Sequence, residues 1–217
     1  AKAMIGRSLK SLGLTEEIVP PYLSMKESVF PFAKFPGVDT ILGPEMKSTG
    51  EVMGIGRTFG EAFAKSQLAA GTVLPASGTV FLSLRDEDKP LILDAARGLV
   101  ALGFRLIATR GSASFLAQRG IPVEPVNKVG EGSPHIVDLI REKKVAMVIN
   151  TPEGRSSAVD SFSIRRTALT ESVPYFTTVA AARATVEGIA ALKESGVTVE
   201  SIQQYHGITK KLLKCAG

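Results

Sequence analysis

Residues 79–84 read Thr-Val-Phe-Leu-Ser-Leu, residues 105–109 read Arg-Leu-Ile-Ala-Thr, and residues 145–151 read Val-Ala-Met-Val-Ile-Asn-Thr. Each run is short, and each is apolar at consecutive rather than alternate positions, the pattern of a strand buried on both faces. Helical periods lie between them. Leu91, Ile92, Ala95, Ala96 and Leu99 recur at helical spacing within 86–102, which Gly103 closes. Helices are also expected over 112–119 (ended by Gly120), 133–144, 156–173 and 181–195 (ended by Gly196), with a further strand at 174–179 and a last extended piece at 197–202. Strands alternating with helices imply a doubly wound parallel α/β sheet covered on both faces. Such a sheet binds ligands beyond the carboxyl ends of its strands, where the strand order reverses.

Outward from this core the text changes. Residues 1–68 are broken by Pro20-Pro21, Pro31, Pro36-Gly37 and Gly43-Pro44, so the only clear element there is a helix over 57–68. It opens with Thr58-Phe59-Gly60-Glu61, a capping box in which the Thr58 hydroxyl and the Glu61 carboxylate each satisfy an amide at the helix start. Gly54-Ile55-Gly56, which superficially resembles a dinucleotide fingerprint, follows no apolar strand and reads as a tight turn. The Gly-rich stretch 71–78 reads as a linker. The expected division is therefore 1–70, a linker at 71–78, an α/β domain at 79–206 and a tail at 207–217.

Composition narrows the chemistry. Of 217 residues, 44% are hydrophobic and 22% charged, a globular balance. No apolar run reaches the ~20 residues of a membrane helix and no signal-peptide pattern opens the chain, so a cytoplasmic protein is expected. The single cysteine, Cys215, rules out an internal disulfide framework and a Cys-based zinc cluster. With His135 and His206 as the only histidines, no His-rich metal site is expected. The net charge of +5 is spread, its densest clusters at 141–144 and 210–214 lacking interleaved aromatics, so nucleic acid is not the expected partner.

The strand-end rule selects the candidate residues. After 79–84 comes Arg85-Asp86-Glu87-Asp88-Lys89, after Ala108 comes Thr109-Arg110-Gly111-Ser112, and after Ile149 comes Asn150-Thr151-Pro152. Hydroxyls of Thr109 and Ser112 at a helix start, with the free amides of its first turn, suit a phosphate, and Lys128 in the loop after Val126 adds a cation. Ser and Thr at such positions also serve simply as caps. His135 reads as a cap, Arg165-Arg166 as a solvated face beside an apolar stripe of Val159, Phe162, Leu169 and Val173.

These residues also carry a family resemblance. Lys34-Phe35-Pro36-Gly37-Val38-Asp39, Leu42-Gly43-Pro44-Glu45-Met46-Lys47-Ser48-Thr49-Gly50-Glu51-Val52-Met53-Gly54 and Gly56-Arg57-Thr58-Phe59 resemble the closing segment of the second ATP-grasp half of the carbamoyl-phosphate synthetase large chain. Ala108-Thr109-Arg110-Gly111, Val126-Asn127-Lys128-Val129, Glu131-Gly132-Ser133-Pro134-His135-Ile136, Ile149-Asn150-Thr151 and Ile164-Arg165-Arg166 resemble its methylglyoxal-synthase-like, flavodoxin-like regulatory domain. The resemblance implies a C-terminal regulatory piece that is not itself catalytic. ATP and Mg2+ or Mn2+ would serve the parent ligase, with no cofactor or metal in this piece. It implies a nucleotide monophosphate effector (UMP or IMP) whose phosphate meets Lys89, Thr109, Ser112, Lys128, Asn150, Thr151 and Ser161. It further implies an ornithine site drawing on Glu27, Tyr175 and Thr177, bound weakly by the piece alone, with the remainder of the large chain and a glutaminase small subunit as partners. Two positions depart from the family pattern: Ser112 replaces a threonine and keeps its hydroxyl, whereas Pro152 removes a hydroxyl and an amide donor. A stand-alone methylglyoxal synthase, a lyase on dihydroxyacetone phosphate, is the alternative. It shares fold and phosphate pocket, but its Asp-Pro motif is missing after Ile149; the similarly folded purine-pathway cyclohydrolase lacks its Lys-Thr-Leu-His-Pro run here.

Overall fold

The computed structural model describes residues 1–17, 19–32, 45–151, 154–205 and 207, with 154–160 as backbone only. The quoted segment 34–44, Pro152, Glu153, His206 and the tail 208–217 with Cys215 lie outside the described residues.

Val80, Phe81 and Leu82 are all fully buried, which is what an uninterrupted apolar strand requires. They belong to β3 (Thr79–Leu84), the centre of a five-stranded parallel sheet with β4 (Arg105–Thr109), β5 (Glu124–Val126), β6 (Met147–Thr151) and β7 (Tyr175–Phe176), in the order β5-β4-β3-β6-β7. The chain winds outward from β3 to β5, then crosses back to β6 on the other side of β3. The reversal therefore falls between β3 and β6.

Two apolar cores cover the sheet. One contains Leu82, Ile92, Leu99, Leu116, Met147 and Ile189, the other Phe81, Ile136, Ile140, Val148 and Ile164. Each fully buried aliphatic side chain contributes about 1.5–3 kcal/mol, so this part of the chain carries most of the hydrophobic stabilisation. The helices are α2 (Leu93–Ala101), α3 (Arg110–Ala117), α4 (Ile136–Arg141), α5 (Gly154–Thr170) and α6 (Val179–Ser195).

Several boundaries differ from the sequence reading for identifiable reasons. The helix expected from 86 is a 3-10 turn at Asp86–Asp88, and α2 starts only after Pro90, so Leu91 is 52% exposed. On α5 the buried positions include Ser161, Ile164, Arg165 and Ala168, whereas Phe162 of the expected stripe is 41% exposed, and Arg165 is no solvated cation. The strand expected over 174–179 shrinks to β7 because Thr178 caps α6, its Oγ1 accepting from the Ala181 amide at 3.1 Å. β5, with Pro125 inside it, escaped the reading; as an edge strand it tolerates a residue without an N–H.

The first part of the chain is more ordered than its prolines suggest. β1 (Leu23–Val29) and β2 (Gly50–Gly56) pair antiparallel, and α1 (Phe59–Ala69) packs on them. Gly54-Ile55-Gly56 is strand, not turn. A Cβ on Gly54 would come within 2.4 Å of the Ser66 amide nitrogen and one on Gly56 within 2.6 Å of that of Ala62, so both glycines let α1 lie on β2. α1 also packs on α6, where a Cβ on Gly60 would lie 2.4 Å from the Glu187 carbonyl oxygen. In the connection between the two parts, Leu74 is buried.

The piece at 197–202 joins no sheet. Lys65 Nζ donates to the Ile55 carbonyl at 2.9 Å, to Glu61 Oε1 at 2.8 Å and to Thr198 Oγ1 at 2.9 Å, and Thr198 in turn bonds Glu61. Arg57 reaches Glu200 at 3.1 Å, and the rings of Tyr22 and Tyr205 meet edge to face. These contacts hold the segment against α1 and β2. The capping box is likewise modified: Thr58 Oγ1 accepts from the Glu61 amide at 3.2 Å, but Glu61 Oε2 accepts from Arg57 N at 2.8 Å, one residue before the cap.

Candidate functional site

The carboxyl end of β3 stands between β4 and β6, and its last amides are tied to hydroxyls on opposite sides. Leu84 N donates to Ser112 Oγ at 3.0 Å, on the α3 side; Arg85 N donates to Thr151 Oγ1 at 3.1 Å, on the β6 side. The register places Leu84 opposite Thr151 and Ser83 opposite Asn150. Adjacent amides thus diverge where the strand order reverses, the position at which sheets of this kind take their ligands in a crevice.

On the α3 side, Thr109 is the N-cap residue but makes no side-chain cap; its Oγ1 donates to Ser112 Oγ at 3.2 Å. Ser112, 1% exposed, is thereby held by a neighbouring hydroxyl and a β3 amide. Lys89 arrives from the 3-10 turn after β3, and its Nζ lies 3.5 Å from the point a Cβ on Gly111 would occupy. A cation thus stands over the first turn of α3, an element end that already favours negative charge.

On the β6 side, Asn150, 2% exposed, donates from Nδ2 to Ser161 Oγ at 2.9 Å and to Tyr175 OH at 2.8 Å. Thr151 approaches Asp88, whose carboxylate is gripped by Arg85 at 2.6 and 3.2 Å. The Arg85 hydrogen bond outweighs burial and, with Thr151, holds Asp88 below the usual carboxylate range.

Of the seven residues expected around a phosphate, the structure gathers six into these two groups: Lys89, Thr109 and Ser112 on one side of β3, Asn150, Thr151 and Ser161 on the other. Lys128 stands apart. It is exposed two residues beyond β5, where its amide donates to Glu131 Oε2 at 2.9 Å, and it shares only the carboxyl edge of the sheet with the rest. Arg85 and Asp88 were not singled out as site residues, although their position just after a strand was a usable signal. His135 is a cap: Asp138 N donates to its Nδ1 at 3.4 Å, and His135 N donates to Asp138 Oδ2 at 3.0 Å. The backbone bond to His135 and the Ser133 hydroxyl lower the Asp138 pKa.

A second cavity of about 350 Å³ lies between β1, α1 and β7, lined among others by Glu27, Phe30, Phe63, Gln67 and Tyr175. Burial pushes the Glu27 carboxyl up despite the hydrogen bond it accepts from Gln67 Nε2 at 2.9 Å. Glu27 and Tyr175, expected together, do line one cavity; Thr177 is exposed just past β7 and is not among its lining residues. Among the described residues no three His, Cys, Asp or Glu side chains cluster as metal ligands, and no helix is long and apolar enough to cross a membrane.

Residues 91–177, which contain β4 to β7 of the parallel sheet, match the family model described as the MGS-like domain. The chain's relatives extend the match in both directions. The carbamoyl phosphate synthase large chain of Pseudomonas putida is 54% identical over 95% of this chain and 19% of its own length. That of Myxococcus xanthus is 53% identical over 96% of this chain, and that of Halomonas eurihalina 56% identical over 95%, each again over 19% of the relative. The chain is a relative of the carbamoyl phosphate synthase large chain, and it spans about a fifth of the length of those curated relatives.

Proposed function

We propose that this chain is the allosteric part of a carbamoyl phosphate synthase large subunit, binding a nucleoside monophosphate of the UMP or IMP type by its phosphate at the β3 crevice. The observation that carries the reading is the Lys89 ammonium beside Gly111, over an α3 start whose Thr109 and Ser112 hydroxyls are already fixed by each other and by β3. A phosphate there meets one cation, the amides of a helix end and the Ser112 hydroxyl, which accepts from Thr109 and Leu84 and so keeps its own proton to donate. Asn150, Thr151 and Ser161 form the opposite wall, and Lys128, exposed beyond β5, adds a cation at the same carboxyl edge of the sheet; in sequence, Pro152 brings no N–H after Thr151.

The cavity beside Glu27 is the proposed ornithine position. A carboxylate short of charge partners in a half-apolar cavity gains from an ammonium, and the Tyr175 hydroxyl offers a polar contact. Thr177 is not among the residues lining this cavity. In the whole enzyme, which makes carbamoyl phosphate from glutamine-derived ammonia, bicarbonate and ATP for pyrimidine and arginine biosynthesis in the cytoplasm, ATP and Mg2+ or Mn2+ act on ATP-grasp units with the glutaminase small subunit alongside. This chain relays effector occupancy by shifting a two-state equilibrium. The lyase reading lacks its Asp-Pro motif after Ile149, and Asp88, the buried carboxylate of the turn, is held by Arg85.

Isothermal titration with UMP, IMP and inorganic phosphate tests the reading. The 217-residue chain binds at least one nucleotide and binds phosphate more weakly, and Lys89→Ala lowers affinity for both by roughly ten- to a hundred-fold. Equal binding by wild type and Lys89→Ala, or turnover of dihydroxyacetone phosphate, contradicts it.

A further inference from the structure

Lys89 and Asp86 form an ion pair of unequal partners. Nζ to Oδ1 is 2.5 Å, but the lysine side chain is 15% exposed and the aspartate 87%. The ammonium is therefore part of the crevice wall, while the carboxylate approaches it from solvent. The same ammonium is near the first turn of α3, 3.5 Å from the Cβ position of Gly111. Lys89 Nζ is thus within reach both of an anion supplied by the chain and of an element end suited to an anion supplied from outside.

The neighbouring carboxylate shows the contrast. Asp88, buried, is clamped by Arg85 through two bonds and approached by Thr151, so it is fixed in place. Asp86, two residues earlier on the same 3-10 turn, is exposed, and an exposed carboxylate exchanges an ammonium for water at little cost. One acid of the turn is structural and the other is displaceable.

We propose that Asp86 is a built-in competitor for the anion-binding ammonium of Lys89, lowering affinity for incoming phosphate. The inference rests on the phosphate reading of the crevice. A phosphate dianion outbids one carboxylate because it engages Lys89 and the α3 amides together. Asp86 touches the ligand only through Lys89 and is a positioning residue.

A double-mutant cycle read by isothermal titration, with inorganic phosphate and UMP as probes, tests this on the full chain. Asp86→Asn tightens both probes by roughly two- to five-fold in the wild-type background and leaves them unchanged in the Lys89→Ala background. Thermal unfolding of the unliganded proteins confirms that all variants fold. Equal or weaker phosphate binding by Asp86→Asn overturns the competitor role while leaving the crevice a phosphate site. A gain that persists in Lys89→Ala also overturns it, as direct repulsion rather than competition. No binding of either probe by the wild-type chain overturns the site reading and this inference together.

Discussion

The crevice beyond β3 and the junction around α1 solve the same problem, satisfying polar groups at a meeting of elements, by opposite means. The crevice uses neutral hydroxyls on β3 amides: Ser112 for Leu84, Thr151 for Arg85, with Asn150 bridging Ser161 and Tyr175. The junction uses charge: Lys65 and Glu61 close on Thr198 and the Ile55 carbonyl, and Glu27 leans on Gln67. Hydroxyl bonds hold the strand ends without adding charge, while the charged groups of the turn after β3 pair with one another, Arg85 with Asp88 and Lys89 with exposed Asp86. Charged bonds hold a chain segment far away in sequence, which suits a seam between two packed parts. Tyr175 belongs to both, its hydroxyl meeting Asn150 while its side chain lines the Glu27 cavity.

Acid separates the two regions most strongly. Burial pushes the Glu61 carboxyl up, but hydrogen bonds from Lys65, Thr198 and the Arg57 amide bring it down to about 2. A carboxyl depressed in the folded state stabilises above its unfolded pKa, and that contribution fades as pH falls from about 4.5 to about 2. On the order of 1–2 kcal/mol is lost over this window, much of it at the junction. Glu61→Gln flattens that part of the pH profile in chemical denaturation. Unchanged acid sensitivity in Glu61→Gln would mean the seam does not depend on this ion pair. Glu27 acts in the opposite sense: its raised pKa makes its ionised form slightly unfavourable, so its contribution grows more favourable as pH falls through its folded pKa.

A smaller effect sharpens the comparison where the regions meet. Tyr175→Phe removes one hydrogen bond from buried Asn150 and lowers stability by about 1 kcal/mol. Hydrogen exchange localises the loss to β6 and β7 and leaves the amides of α3 unchanged. Faster exchange in α3 would show that the two walls of the crevice are not independent.

Legibility in the sequence followed the same division. β3, β4 and β6 announced themselves because Val80-Phe81-Leu82, Leu106-Ile107-Ala108 and Met147-Val148-Ile149 are apolar at successive positions, and the strand-end rule then led directly to Thr109, Ser112, Asn150 and Thr151. β1 and β2 stayed hidden because Leu-Ser-Met-Lys-Glu-Ser-Val and Gly-Glu-Val-Met-Gly-Ile-Gly have half-exposed, mixed faces, and glycines chosen for close helix approach look like turn residues. Pro90 was visible but weighed too little against the apolar spacing around it. The pairing of Asp86 with Lys89 and of Asp88 with Arg85 was out of reach, since a 3-10 turn and a regular helix place these side chains differently.

The central claim is that the crevice beyond β3 is the place where this chain takes a phosphate. A crystal structure of the chain soaked with UMP tests it most directly. The account predicts the phosphate group within hydrogen-bonding distance of Lys89 Nζ and the Gly111 amide, with Asp86 turned away from the lysine. A nucleotide seated in the Glu27 cavity, or a phosphate bound elsewhere with the Asp86–Lys89 pair intact, would contradict it.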